Sequence, residues 1–244
     1  MNKYAILLTA LFAFFQNALG AEKIRVAAAS DLKFAMDEIV AEYKLTNPGS
    51  EVDVVAGSSG KFFEQINAGA PFDLFFSADV DFPQKLIKAG IGEDITSYAI
   101  GRIVLWSMMY SPKSLKELTQ PKYKKIAIAN PMHAPYGKRA EEALKNEGVL
   151  ETIKERLVFG ENISQTAQFV ESNAADAGVV SLSLVLAPPL KGKGHFILLS
   201  EKLHFPLVQT YIILNSKARN FASFIQTEKA KIIIKKYGFD IPKT

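Results

Sequence analysis

Small hydroxylated residues recur wherever an apolar, strand-like run gives way to helical spacing. The first such place is Ala28-Ala29-Ser30-Asp31, and the second is Gly57-Ser58-Ser59-Gly60. The third is Asn130-Pro131-Met132-His133-Ala134-Pro135-Tyr136-Gly137, and the fourth is Gly160-Glu161-Asn162-Ile163-Ser164. A fifth follows Val180, with Ser181 and Ser183. A helix start carries roughly half a positive charge and presents free N–H groups. Most of these starts lack a Lys or Arg in the first turn. Such ends, aimed at one point, can hold an anion without a formal countercharge. At roughly 1.5 kcal/mol per charge-assisted bond, about six or seven donors supply about 10 kcal/mol, and sub-micromolar capture needs about 8 kcal/mol. Taken singly, Ser, Asp and Gly before a helix are ordinary capping residues. The weight therefore lies in their combination with the two-lobed pattern and the leader described below.

Other chemistry finds little support. There are no cysteines, which excludes disulfides and thiolate metal sites. The three histidines, His133, His195 and His204, are scattered and suggest no metal site. Arg102 and Arg139 could clamp a carboxylate, although Arg102 falls near an expected hinge. Asp73 and Asp79 flank one strand, where capping and turn roles suit them better than a catalytic pairing. No nucleophile motif, phosphate loop or dinucleotide fingerprint occurs, so neither an enzyme nor a bound cofactor is expected. The 29 Lys and Arg against 25 Asp and Glu are dispersed, which makes nucleic acid an unexpected partner.

The elements that must position these junctions alternate strand with helix. Ile24 to Ala29, Glu51 to Ala56 and Asp73 to Ser77 read as strands, and helical spacing follows each. The same grammar resumes with strands at Lys125 to Ala129, Leu157 to Phe159, Ala177 to Val180 and Phe196 to Leu199. Residues from Phe221 to Tyr237 share one helical face at the end. This alternation predicts parallel βαβ units and an α/β fold. Two apolar stretches, Arg102 to Met109 and Leu207 to Leu214, interrupt the rhythm and read as crossings between two lobes. The expected division is 21–101 plus 210–244 for the first lobe and 102–209 for the second. Ligands in such sheets collect beyond the carboxyl ends of strands, which places all five junctions at a cleft.

Residues 1–20 form a separate segment. A basic start, the apolar run from Ala5 to Phe15, and small residues at Ala18 and Gly20 match a secretory leader cut ahead of Ala21. The run is shorter than the roughly 20 residues a membrane span needs, and no Cys follows it to carry a lipid. The mature chain is expected outside the cytoplasmic membrane.

In this order and spacing, several segments resemble one family: Val26-Ala27-Ala28-Ala29-Ser30, Gly57-Ser58-Ser59-Gly60, Gln65-Ile66-Asn67-Ala68-Gly69-Ala70-Pro71 and Asp73 to Asp79. Asn130-Pro131 with Pro135-Tyr136-Gly137, and Lys236-Tyr237-Gly238-Phe239, continue the match. The chain resembles the periplasmic molybdate-binding proteins of ABC importers over essentially its mature length. The resemblance implies a type II periplasmic-binding-protein fold, with each lobe a mostly parallel sheet flanked by helices. It implies a molybdate or tungstate ion between the lobes, a membrane permease as partner, a monomer, and a periplasmic location. Ser30 then contributes hydroxyl and amide, Ser59 a hydroxyl (Ser58 if the turn is shifted by one), and Tyr136 and Ile163 their amides. Where many members carry a Tyr after the fifth strand, this chain has Ser181, and Tyr136 is left to supply a phenol or a lid. Asp31 is expected to cap its helix and turn its carboxylate away, leaving only its amide toward the ligand. Sulfate, phosphate or a small organic acid on the same fold is the alternative.

Overall fold

The computed structural model describes residues 23–243. The leader expected over residues 1–20 lies outside them. The chain opens with β1 (Lys23–Ala29), a one-turn 3-10 helix (Ser30–Leu32) and α1 (Lys33–Thr46). Then come β2 (Glu51–Gly57), α2 (Ser59–Asn67), β3 (Leu74–Ser77), α3 (Asp81–Lys88) and β4 (Glu93–Gly101). The middle of the chain runs through β5 (Ile103–Ser107), β6 (Ile126–Ala129), α4 (Pro135–Asn146), α5 (Leu150–Ile153) and β7 (Leu157–Gly160). It continues with α6 (Ile163–Glu171), β8 (Ala177–Ser181), α7 (Leu182–Leu186) and β9 (His195–Leu198). The chain finishes with β10 (Leu207–Ile213), α8 (Arg219–Ile225) and α9 (Glu228–Lys236).

Two five-stranded sheets result, ordered β2-β1-β3-β10-β4 and β7-β6-β8-β5-β9. They are mixed rather than mostly parallel. In each, the strands that lead into helices pair in parallel, whereas β10 in one sheet and β5 in the other run antiparallel to both neighbours. The reason is the crossings: β5 and β10 enter a sheet from the other one and so arrive in the opposite direction. The chain leaves the first sheet at Gly101, enters the second at Ile103 and is back in the first by Leu207. β10 therefore includes Leu207, Val208 and Gln209, three residues expected in the second lobe. β4, whose first five residues are exposed or half-exposed, has no clean apolar signature in the sequence. The terminal helical face is two helices, because Thr227 accepts from the Ala230 N–H and starts α9 afresh.

Register places the junctions. Ala29 pairs with Gly57 at the last rung between β1 and β2, so Ser30 and Ser58 leave the sheet side by side. Ala129 pairs with Gly160 at the last rung between β6 and β7, which does the same for the third and fourth junctions. Beneath them, Phe76 on central β3 is fully buried and packs edge-on against Tyr98 at 5.2 Å and beside Tyr211 at 5.3 Å. Phe76→Ala should cost about 3–5 kcal/mol of unfolding free energy, read by urea denaturation. A loss under 1 kcal/mol would show that this core does not hold the first sheet.

Candidate functional site

The ends of the two sheets face each other across a small cavity lined by Ala29, Ser30, Asp31, Gly57, Ser58, Ser59, Ala78, Ala134, Pro135, Tyr136 and Ile163. Six of the seven residues singled out in the sequence thus line one space. The seventh, Ser181, does not. It is fully buried at the start of α7, where its hydroxyl lies 3.1 Å from that of Ser183. The space open to the centre of a water molecule is ≈ 10 Å³, about one water. Any guest larger than a water, an oxyanion included, enters only when the lobes part or the lining shifts outward. A far wider groove of ≈ 560 Å³ lies by Ser97, Gln226, Lys231 and Lys235, and none of the junctions reaches it.

Three helices of eight residues or more, α2, α4 and α6, begin at this space. Ser58 caps α2 and accepts from the Lys61 N–H, and Asn162 caps α6 and accepts from the Gln165 N–H. α4 begins with Pro135 and has no side-chain cap. The amides of Ser59, Tyr136 and Ile163 find no acceptor among the described residues. The hydroxyls differ in how far they are already engaged. Ser59 Oγ accepts from the Ala78 N–H at 3.0 Å and keeps its own proton to donate. Ser58 Oγ lies 2.9 Å from both Nδ1 and the carbonyl oxygen of His133. Ser30 Oγ donates to Asn162 Oδ1 at 3.2 Å and accepts from the Ser164 N–H at 3.3 Å. Each of the Ser58 and Ser30 contacts joins an element of one sheet to an element of the other.

His133 and Asn162 were not assigned these bridging roles from the sequence. Asn162 carried a cap signal, but nothing in the sequence shows which partner crosses to it. Gly60 is also part of the bridge: its N–H donates to the His133 carbonyl at 2.9 Å, and a Cβ there would fall 2.7 Å from that same oxygen. The two arginines that might have clamped a carboxylate are engaged away from the cavity. Arg102 pairs with Glu201 at 2.9 Å and Asp240 at 3.2 Å. Arg139 pairs with Glu142 and lies under the ring of Phe205. No Lys, Arg or His is among the lining residues. Asp73 and Asp79 serve backbone: Asp73 accepts from the Arg25 N–H at 2.7 Å, and Asp79 from the Phe82 N–H at 3.3 Å.

Residues 24–240 match the family of bacterial extracellular solute-binding proteins. The chain belongs to that family. It is 36% identical over 202 residues to the molybdate-binding protein ModA of Rhodobacter capsulatus, covering 78% of each chain. It is 33% identical over 233 residues to ModA of Azotobacter vinelandii, covering 92% of each. The solved structure of the Azotobacter vinelandii periplasmic molybdate-binding protein superposes with a TM-score of 0.84 at 31% identity, covering 90% of this chain and 100% of that one. The fold of this solute-binding protein is the two-lobed type II periplasmic-binding-protein fold, with the cavity between the lobes.

Asp31 departs from expectation. No side-chain cap bond is made at the start of α1 or of the 3-10 turn. Instead the carboxylate turns inward, where Oδ2 accepts from Gln209 Nε2 at 2.5 Å. The same amide nitrogen donates to the Tyr136 hydroxyl at 3.1 Å, while Gln209 Oε1 accepts from the Tyr98 hydroxyl at 2.6 Å. The Tyr136 phenol thus reaches the hinge, where it packs against Gly101 in a space that a Cβ would fill. Gln209 is the one amide in the apolar run Leu207 to Leu214; a lone buried polar group of that kind needs partners, and this was the signal that could have found it. Burial pushes the Asp31 carboxyl up to about 6, opposed by hydrogen bonding from Gln209 and Tyr136. Burial and the neighbouring Asp31 charge hold the Tyr136 hydroxyl well above its usual range.

A carboxyl whose folded value is raised stabilises the fold below its unfolded value, and that contribution is lost as pH rises through the folded value. Asp31→Asn, which keeps the bond from Gln209, should therefore gain thermal stability over the parent protein as pH rises from about 4 to above 6. Melting curves across that range check this; a constant difference would contradict a buried, raised Asp31. Gly60→Ala should hold the lobes apart, read as a larger radius of gyration by small-angle scattering with little change in melting temperature. An unchanged radius would show that Gly60 is not the point of closest approach.

Proposed function

We propose that this protein captures molybdate or tungstate in the interlobe cavity and delivers it to the membrane permease of an ABC importer. It works as a monomer in the periplasm after removal of the leader, without a cofactor and without catalysing a reaction. The observation that carries the reading is the composition of the cavity: hydroxyls and free amides at the starts of three helices, drawn from both lobes, with no cationic side chain. A tetrahedral dianion offers acceptors in all directions and meets such donors without needing a countercharge. The names of the relatives agree with this guest. An organic acid would call for a bidentate arginine, and both candidates are engaged elsewhere.

Ser30, Ser59, Tyr136 and Ile163 are the proposed donors: the hydroxyls of the two serines and the amides of the other two, with the Ser30 amide added. Ser58 holds the lobes together through His133. To reach the anion, Ser30 Oγ must turn its proton from Asn162 toward the cavity, which leaves the Asn162 cap on α6 intact. Loading thus redirects the proton that Ser30 donates to Asn162, while the bond from the Ser164 N–H to Ser30 Oγ still joins the lobes.

Calorimetric titration should give tight binding of molybdate and tungstate and little heat from sulfate or phosphate. Ser30→Ala and Ser59→Ala should each weaken molybdate by about ten-fold or more, roughly 1.5 kcal/mol per lost donor. Unchanged affinity in both variants, or a preference for phosphate, would overturn the assignment.

A further inference from the structure

A buried carboxylate beside a site for a doubly negative guest is an unusual neighbour, and the geometry gives it no compensating cation. Asp31 is 2% exposed and lines the cavity. Its Oδ2 is held by Gln209, but its Oδ1 is buried without a hydrogen-bond partner among the described residues. An unpaired buried acceptor is costly when charged and inexpensive once protonated. The elements packed around it offer no positive charge. β4 contributes the Tyr98 hydroxyl, α4 the Tyr136 hydroxyl and β10 the neutral Gln209 amide. α6 contributes Ser164 and its capping residue Asn162 beside Ser30, and α7 contributes Ser183, whose hydroxyl donates to the Asp31 carbonyl oxygen at 2.8 Å. On α1, Lys33 lies over the Phe34 ring, and from the β2–α2 junction come only Ser58 and Ser59. His133 and Glu161 face each other at 3.6 Å on the far side of Ser58.

We propose that the cavity takes up its dianion together with one proton, which comes from the solvent buffer and resides on Asp31. The inference rests on the oxyanion reading of the cavity. Two like charges in one dry space raise the free energy of the ionised carboxyl, so the arriving anion draws a proton onto Oδ1. The neutral acid then repels the guest no longer and turns an unpaired acceptor into a hydrogen-bond donor. The Gln209 bridge keeps Oδ2 as the acceptor and so directs the proton to Oδ1. Once protonated, Asp31 is a donor matched to the oxygen of a fully deprotonated anion.

Linkage fixes the direction. Burial between the closed lobes pushes the Asp31 carboxyl up to about 6, and the anion pushes it higher. Affinity should then rise as pH falls from above the bound value toward 6, and level off below it.

The test is titration of the intact mature protein with sodium molybdate at pH 7 in several buffers of different ionisation enthalpy. The slope of heat against buffer enthalpy counts protons, and about half a proton or more per anion is expected. The dissociation constant should be about ten-fold tighter at pH 6 than at pH 8. Asp31→Asn should still bind molybdate, but with a slope near zero and an affinity flat over that range. Binding by the parent protein with no proton uptake overturns the inference and leaves the oxyanion site standing, as does an uptake that persists in Asp31→Asn. No molybdate heat at all removes the site reading and this inference with it. Should Asp31→Asn fail to fold, the parent protein's slope and pH profile decide alone.

Discussion

An ion with two negative charges leaves water only where fixed donors replace its hydration. Everything at the interlobe cavity follows from that requirement. Mobile lysines could supply charge, but they would bring their own hydration and their own flexibility into the space. Backbone amides at helix starts are already fixed by the helix behind them, and they cost no reorganisation when the guest arrives. Their use requires helices to begin at one point, and that in turn requires neighbouring parallel strands to end level. The pairings Ala29–Gly57 and Ala129–Gly160 provide this on the two sides.

Closure follows from the same economy of atoms. Gly60 brings α2 against the His133 carbonyl, and Gly101 leaves space for the Tyr136 phenol at the hinge. Neither approach tolerates a Cβ at its present spacing. The lobes meet through hydroxyl, imidazole and amide groups that water can satisfy when they part, and also through apolar contacts, with Ala29 and Ala78 packed into the second lobe's core and Ala187 into the first's. A site that must release its guest to a membrane partner is well served by such a reversible contact. The hydrogen bonds that Gln209 makes with Asp31, Tyr136 and Tyr98 link the cavity to the hinge.

Much of this was legible in the sequence, because strands followed by small residues and helical spacing announce both the α/β fold and the places where ligands collect. The cavity-lining positions Ser30, Ser59, Tyr136 and Ile163 were reachable in that way, with the family resemblance pointing to one residue of each turn. What escaped depends on contacts between distant segments. The mixed sheets arise from the crossings at Gly101–Ile103 and before Leu207, and no local period records strand direction. β4 escaped because its exposed half breaks the alternation. The inward turn of Asp31 depends on Gln209, 178 positions away, whereas capping is what the local sequence alone suggests for it.

The most direct test is diffraction from crystals grown with molybdate, recorded at the molybdenum absorption edge. The account predicts one strong anomalous peak in the interlobe cavity. Its oxygens should lie about 3 Å from the Ser30 and Ser59 hydroxyls and from the amides of Tyr136 and Ile163. A peak outside the cavity, or one held by an arginine or lysine side chain, would contradict it.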